Sequence, residues 1–246
     1  MKNLILFIGA WLIGLMPVWA WKGEVNVETP HMQMWLFAKE GQDLRMAYFG
    51  SKSATMKELD EAGDNMNFSA LPAFGTVDVV HLPAVQVQHA NGDQNLELVV
   101  TDYSMENGER AVVHVFTMKD KLQPVIVRLF YKAYKNVDII ETWTEIEHRE
   151  KRAITLKRYD SGHLVIRRSD VWLTHLHGDW ASEADVTQEP LTRGVKMIRN
   201  SDGARNSHLD APEIMLSLDG QPQVILIGPP AMEAAGIPVN TGHPED

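Results

Sequence analysis

Apolar and polar positions alternate along most of this chain. In Val125 to Tyr134 the odd positions are Val125, Val127, Leu129, Tyr131 and Ala133, while the even ones include Arg128 and Lys132. Successive side chains of a strand point to opposite faces, so this segment predicts a strand with one apolar and one mixed face. Leu96–Tyr103, Ala111–Met118, Asp138–His148, Ile154–Ile166, Val171–His177, Val195–Asn200 and Ile214–Leu218 read the same way, rich in Val, Ile, Thr and aromatics. Between them stand Asn91-Gly92, Asn107-Gly108, Asp202-Gly203 and Asp219-Gly220, pairs that supply the positive φ of tight hairpin turns. Only Thr55–Ala62 reads as a helix, with Thr55 and Glu58 spaced as a capping box and Gly63 as the stop.

The pattern predicts a dozen or more strands joined by short turns. One open sheet of that size would curl or expose long edges, so two packed sheets are the expected solution. No repeat of fixed period is evident, which weighs against a propeller or solenoid. The predicted fold is all-β: a large antiparallel two-sheet β-sandwich with one short helix.

The two ends break the alternation. Met1-Lys2-Asn3 carries a positive charge, Leu4 to Met16 is apolar and uncharged, Pro17 ends the run, and Val18-Trp19-Ala20 suits a cleavage site. This is the order of a secretory signal peptide, and the run is shorter than the roughly 20 residues of a membrane span. Cleavage after Ala20 leaves 246 − 20 = 226 residues starting at Trp21. The expected location is periplasmic or extracellular, with no membrane attachment once the signal is removed. At the other end, Val224 to Pro230 leads into a Pro/Gly-rich segment. The expected organisation is therefore a signal peptide over 1–20, a sandwich domain over 21–227 and an irregular tail over 228–246.

Composition narrows the function. The absence of Cys excludes disulfides, thiolate-bound metals and cysteine nucleophiles. With 23 basic and 33 acidic residues the charge is 23 − 33 = −10, unlike the basic footprint of a nucleic-acid binder. Thr174-His175-Leu176-His177-Gly178-Asp179-Trp180 is similar to the T-H-x-H-x-D-H signature of the metallo-β-lactamase superfamily, which binds zinc for hydrolysis. Its last ligand position is Trp180, whose indole cannot ligate zinc, and the helical layers of that superfamily are missing from the pattern. The two histidines are read instead as neighbours on one face of a strand end. Asp179 and Glu183 read as solvated turn residues rather than a catalytic pair, and no Gly-x-Ser-x-Gly or Gly-rich phosphate loop occurs. No catalytic residue, metal or cofactor is assigned.

A different likeness begins at the same place. Trp172-Leu173-Thr174-His175-Leu176-His177-Gly178-Asp179-Trp180-Ala181-Ser182-Glu183 runs on to Glu189-Pro190-Leu191-Thr192-Arg193-Gly194, and Ser201 to His208 follows. These blocks resemble the L-H-G-x-W-x-x-E, P-L-x-x-G and G-x-x-S-H segments in the N-terminal domain of glycoside hydrolase family 36, the α-galactosidases. Phe74-Gly75, Val87 to Gly92, Leu96-Glu97-Leu98 and Asp138 to Ile146 resemble the same domain upstream. The likeness spans roughly Val25 to Gln223, in order and with matching spacing.

The resemblance implies a β-supersandwich that precedes a (β/α)₈ barrel carrying both catalytic aspartates, in an enzyme that hydrolyses terminal α-linked galactose with retention. No family-type nucleophile motif is found here: Lys157-Arg158-Tyr159-Asp160 is the nearest string and lacks the following Asn. The expectation is an accessory domain that is inactive alone, from a truncated or frame-shifted reading of a longer hydrolase gene. Its expected partners are a catalytic barrel, α-galactosides and further copies in a homo-oligomer. His177, Trp180, Glu183, Arg205 and His208 are the expected barrel or subunit interface. Asp64 and Phe68 resemble the loop that approaches a neighbouring subunit's active site in the family, and are the expected substrate contacts. The alternatives are a stand-alone carbohydrate-binding sandwich that uses Trp143 or Trp172 as a stacking platform and, more remotely, a zinc hydrolase of the metallo-β-lactamase kind.

Overall fold

In a computed structural model of the chain, the described residues are 20–52, 55–62, 67–75, 82–166, 170–179, 181–198, 209–218, 224–227 and 237–240. They fall into two compact units, Met1–Leu164 and Val165–Asp246.

The first unit opens with β1 (Gly23–Glu28), β2 (Met32–Ala38), β3 (Arg45–Ser51) and β4 (Phe68–Ser69), an antiparallel sheet in that order. Strand β2 escapes the alternation rule for a physical reason. In β2, Met34 and Leu36 enter the core, while Trp35 and Phe37 on the opposite face pack on α1 (Met56–Ala62) through Met56 and Leu59. A strand covered on both faces reads as a continuous apolar run. The helix carries the predicted capping box: Thr55 Oγ1 accepts the Glu58 amide at 3.3 Å, and a Glu58 carboxylate oxygen accepts the Thr55 amide at 2.8 Å.

The second sheet is the meander β6 (Leu98–Asn107), β7 (Ala111–Asp120), β8 (Val125–Tyr134) and β9 (Ile140–His148). Strand β8 follows the sequence pattern, with Val125, Val127, Leu129, Tyr131 and Ala133 all buried. A short pair, β5 (Val85–Gln88) with β10 (Thr155–Tyr159), completes the unit. The first two sheets are tied at both ends. The Trp21 amide donates to the Val100 carbonyl and the Val100 amide to Gln42. At the far end Asp138 Oδ1 accepts from the Thr29 hydroxyl and the His31 amide, each at 2.8 Å.

Two local expectations are corrected here. Gly92 does take φ 91° at its turn, but Gly108 lies outside the left-handed region and closes the β6–β7 loop by donating its amide to Ala111. The strand expected over Ile154–Ile166 stops at Tyr159. Beyond it the chain crosses the rim of β9, where Thr144 and Thr142 hydroxyls donate to the Asp160 and Ser161 carbonyls in place of a ladder. A Cβ on Gly162 would lie 2.5 Å from Thr142, so only glycine passes there without a shift.

The second unit contains β11 (Val171–Asp179), β12 (Ser182–Pro190), β13 (Val195–Ile198), β14 (Leu209–Leu218), β15 (Val224–Ile227) and β16 (Ile237–Asn240). One sheet runs β12-β11-β14-β15, and β13 pairs with β16. Strand β13 pairs antiparallel with Ile237–Asn240, a partner that sequence periodicity cannot reveal. The Asp202-Gly203 and Asp219-Gly220 turns lie outside the described residues. Among the described residues the ladders are antiparallel, apart from one isolated parallel bridge between Ala73 and Val85. Among the described residues there is one short helix, and the architecture is the antiparallel β-sandwich class that the alternation predicts. No helix among them is long and apolar enough to cross a membrane.

Candidate functional site

Strand β11 positions the site. Its odd residues Val171 and Leu173 join Ile198, Ile214 and Leu216 in the core of the second unit, and the same face continues into His175 and His177. One strand face thus passes from apolar to polar along its length. The cross-strand register sets Glu189 beside Leu173, Thr187 beside His175, and Asp185 and Asp210 on either side of His177. Between His175 and His177 the β11–β14 register shifts, which moves Asp210 along the rim.

His175 is the buried member, its side chain only 8% exposed. Among the described residues its Nδ1 has no hydrogen-bond partner; it lies 3.7 Å from Asp210 Oδ1, while Nε2 is 3.9 Å from Glu189. Burial pushes its pKa below the ordinary imidazole value, helped by Lys196 and His177, and the two carboxylates oppose that shift without reversing it. Lys196 grips Glu189 at 2.5 Å and holds that carboxyl below its usual range. His177 makes a 2.7 Å hydrogen bond to Thr187 Oγ1, with its ring 5.7 Å from that of His175.

Of the interface residues expected from sequence, His177 is placed here at the polar end of β11. Glu183 belongs to β12 by its backbone, though its side chain is not described. Trp180, Arg205 and His208 lie outside the described residues. In the other unit, Phe68 is half-buried in β4 opposite Met46, and Asp64 lies outside the described residues. Next to Phe68, Asn67 takes φ 49° and is fixed by Arg45, which donates to its carbonyl at 2.6 Å and to its side chain at 3.2 Å.

The arrangement holds these polar groups in place through cross-strand register and ion pairing. A cavity of about 150 Å³, lined by residues that include Glu189, Leu191, Arg193 and Lys196, adjoins the cluster. That is small beside the roughly 300 Å³ at which ligand pockets begin. Among the described residues no group of three or more His, Asp or Glu side chains is placed to hold a metal ion.

Sequence reasoning missed a second polar assembly. His89 is fully buried, with Nδ1 2.7 Å from Glu150 and Nε2 2.9 Å from the Asn95 carbonyl, while the Ala90 amide donates to Glu150 at 2.9 Å. His89 lies within the Val87–Gly92 block, but Glu150 lies beyond a strand end and carries no local signal.

Residues 42–223 match the Glycosyl hydrolase family 36 N-terminal domain. The chain belongs to that family. Among curated protein sequences nothing matches. Solved structures share the fold. The α-galactosidase AgaA of Geobacillus stearothermophilus superposes with a TM-score of 0.71 at 20% identity, over 80% of this chain and 32% of that one. An α-galactosidase from Lactobacillus brevis gives 0.70 at 19% identity, over 81% and 31%. The galactosidase domain of the α-galactosidase–sucrose kinase AgaSK gives 0.71 at 19% identity, over 81% and 32%. This chain thus spans about a third of the enzymes it matches, corresponding to the N-terminal domain, which in them accompanies a catalytic domain.

Proposed function

We propose that this domain serves an exported α-galactosidase as its accessory sandwich, and that a (β/α)₈ barrel docked on it carries out the hydrolysis of terminal α-linked galactose. The observation that carries this reading is a set of large apolar side chains left exposed on the second unit. Val186, Val195 and Met197 each keep more than half of their surface exposed. Val186 faces outward opposite Leu176, on the same side of the sheet as the half-buried Trp172. Val195 and Met197 stand two residues apart on one exposed side of β13, and neighbouring apolar side chains left uncovered suit a contact surface. The family supplies the partner: a catalytic domain follows this fold in the enzymes it matches. His177, Trp180, Glu183, Arg205 and His208 belong to the rim of that contact in this reading, Asp64 and Phe68 reach toward substrate in a neighbouring copy, and contacts between copies build a homo-oligomer.

Two experiments test the proposal. The chain from Trp21 onward, assayed with p-nitrophenyl α-galactoside, is expected to show no turnover, and hydrolysis above background would sink the accessory role. For export, expression in a Gram-negative host should yield periplasmic protein whose first residue by mass spectrometry is Trp21. Retention of residues 1–20 in the cytoplasm would overturn that part.

A further inference from the structure

One carboxylate oxygen of the second unit is claimed from two sides. Glu189 Oε1, on β12, accepts Lys196 of β13 at 2.5 Å and lies 3.9 Å from His175 Nε2 on β11. The other ring nitrogen, Nδ1, lies 3.7 Å from Asp210 Oδ1 on β14. Both spacings to the imidazole are just too long for hydrogen bonds. A neutral imidazole has one N–H, so it can donate to only one of two opposed carboxylates, whereas the imidazolium can donate to both. Glu189, Lys196, Asp210 and, on the same strand, His177 are the titratable groups that face the ring.

Exposure decides which group yields once the ring is charged. The imidazolium and the Lys196 ammonium would then compete for one acceptor and repel each other. The His175 side chain is 8% exposed and has nowhere to turn, whereas that of Lys196 is 41% exposed and can extend into water. Glu189 is itself 39% exposed, with room to follow the ring. Shortening its distance to an ordinary charge-assisted hydrogen bond asks for a movement of about 1 Å. Because burial keeps the imidazole pKa below 6.5, the change belongs to the acid side of that value.

Lys196 matters to its strand. Ile198 anchors one end of β13 in the core, and Lys196, two residues earlier on the same side, ties the other end to β12 through Glu189. Val195 and Met197 alternate with them toward the exposed side.

We propose that His175 is an acid-operated latch: its protonation draws Glu189 away from Lys196 and frees the start of β13, the strand that carries Val195 and Met197. The proton comes from solvent and Lys196 keeps its own charge, so only the pairing changes. The latch is a property of this chain alone, while any effect on a docked barrel rests on the hydrolase reading.

Hydrogen exchange of the Val195–Ile198 amides between pH 7.5 and pH 4.5, expressed as protection factors, tests the latch when the His175 ring is followed by NMR in parallel. Protection is expected to fall about threefold or more as the ring takes up its proton, the scale of a half-exposed ion pair, with both curves sharing a midpoint. In His175→Gln the fall should vanish. In Lys196→Gln, a half-exposed position, protection should be low and independent of pH. A ring still neutral at pH 4.5, constant protection in the parent chain, or the same fall in either variant would overturn the latch. None of these outcomes bears on α-galactoside turnover or on export, so the latch can fail while the accessory role stands.

Discussion

His89 and Glu150 are the residues whose removal should be felt most. Burial works against the imidazolium, but the bonds to Glu150 and to the Asn95 carbonyl outweigh it and raise the His89 pKa above its ordinary 6.5. Burial likewise opposes the Glu150 carboxylate, yet His89 and the Ala90 amide bring its pKa below the ordinary 4.5. The raised histidine contributes stability that is complete below about pH 6.5 and fades as pH climbs through its folded value. The lowered glutamate contributes stability that is complete above about pH 4.5 and fades as pH falls through its own. Their joint contribution should therefore be greatest between those limits. A Glu150→Gln variant should lose about 3 kcal/mol or more at pH 5.5, because it leaves a buried imidazolium without its counter-charge. Urea titrations at pH 4, 5.5 and 8 would check both the loss and its pH dependence. At Ala181 the sign reverses. Its φ of 65° puts a Cβ where glycine is favoured, so Ala181→Gly should raise stability by about 1 kcal/mol, read as a shift in the urea midpoint.

At the scale of elements, the helix offers the cleanest test. Thr55 supplies half of the capping box, and Thr55→Ala should cost about 1 kcal/mol, measured by thermal melting. What the sequence could and could not reveal divides along similar physical lines. Strand β8 is legible because one face is core and the other wet, so its period of two survives in the residues. Strand β2 is not, because α1 covers the face that would otherwise be polar. Strand β12 reads Ser-Glu-Ala-Asp-Val-Thr-Gln-Glu-Pro, an edge strand with little apolar content, and its existence depends on β11 beside it. The same holds for the sites. The His175–His177 neighbourhood is visible as a motif, and so is its place on one strand face. The setting of His175 between Glu189 and Asp210 is not, since it depends on a register shift.

For the molecule as a whole, the exposed apolar side chains have a consequence before any partner is found. Val186, Val195 and Met197 should drive the isolated chain to associate with itself as its concentration rises. Val186→Lys combined with Met197→Lys should shift the sedimentation profile toward monomer while leaving the melting temperature within about a degree, because exposed side chains contribute little to the core. An unchanged profile would mean that these residues are not where the domain adheres.

The clamp at Asp138 reaches across 109 residues to Thr29, and β10 must find β5 across 155 − 88 = 67 residues, whereas β6 to β9 are joined by turns alone. Closing long loops carries an entropic cost that neighbouring hairpins escape, and chains dominated by distant pairings fold in milliseconds to seconds. Order in time should therefore follow order in sequence separation: in pulse-labelled hydrogen exchange the amides of β6 to β9 gain protection first, and those of β5 and β10 last.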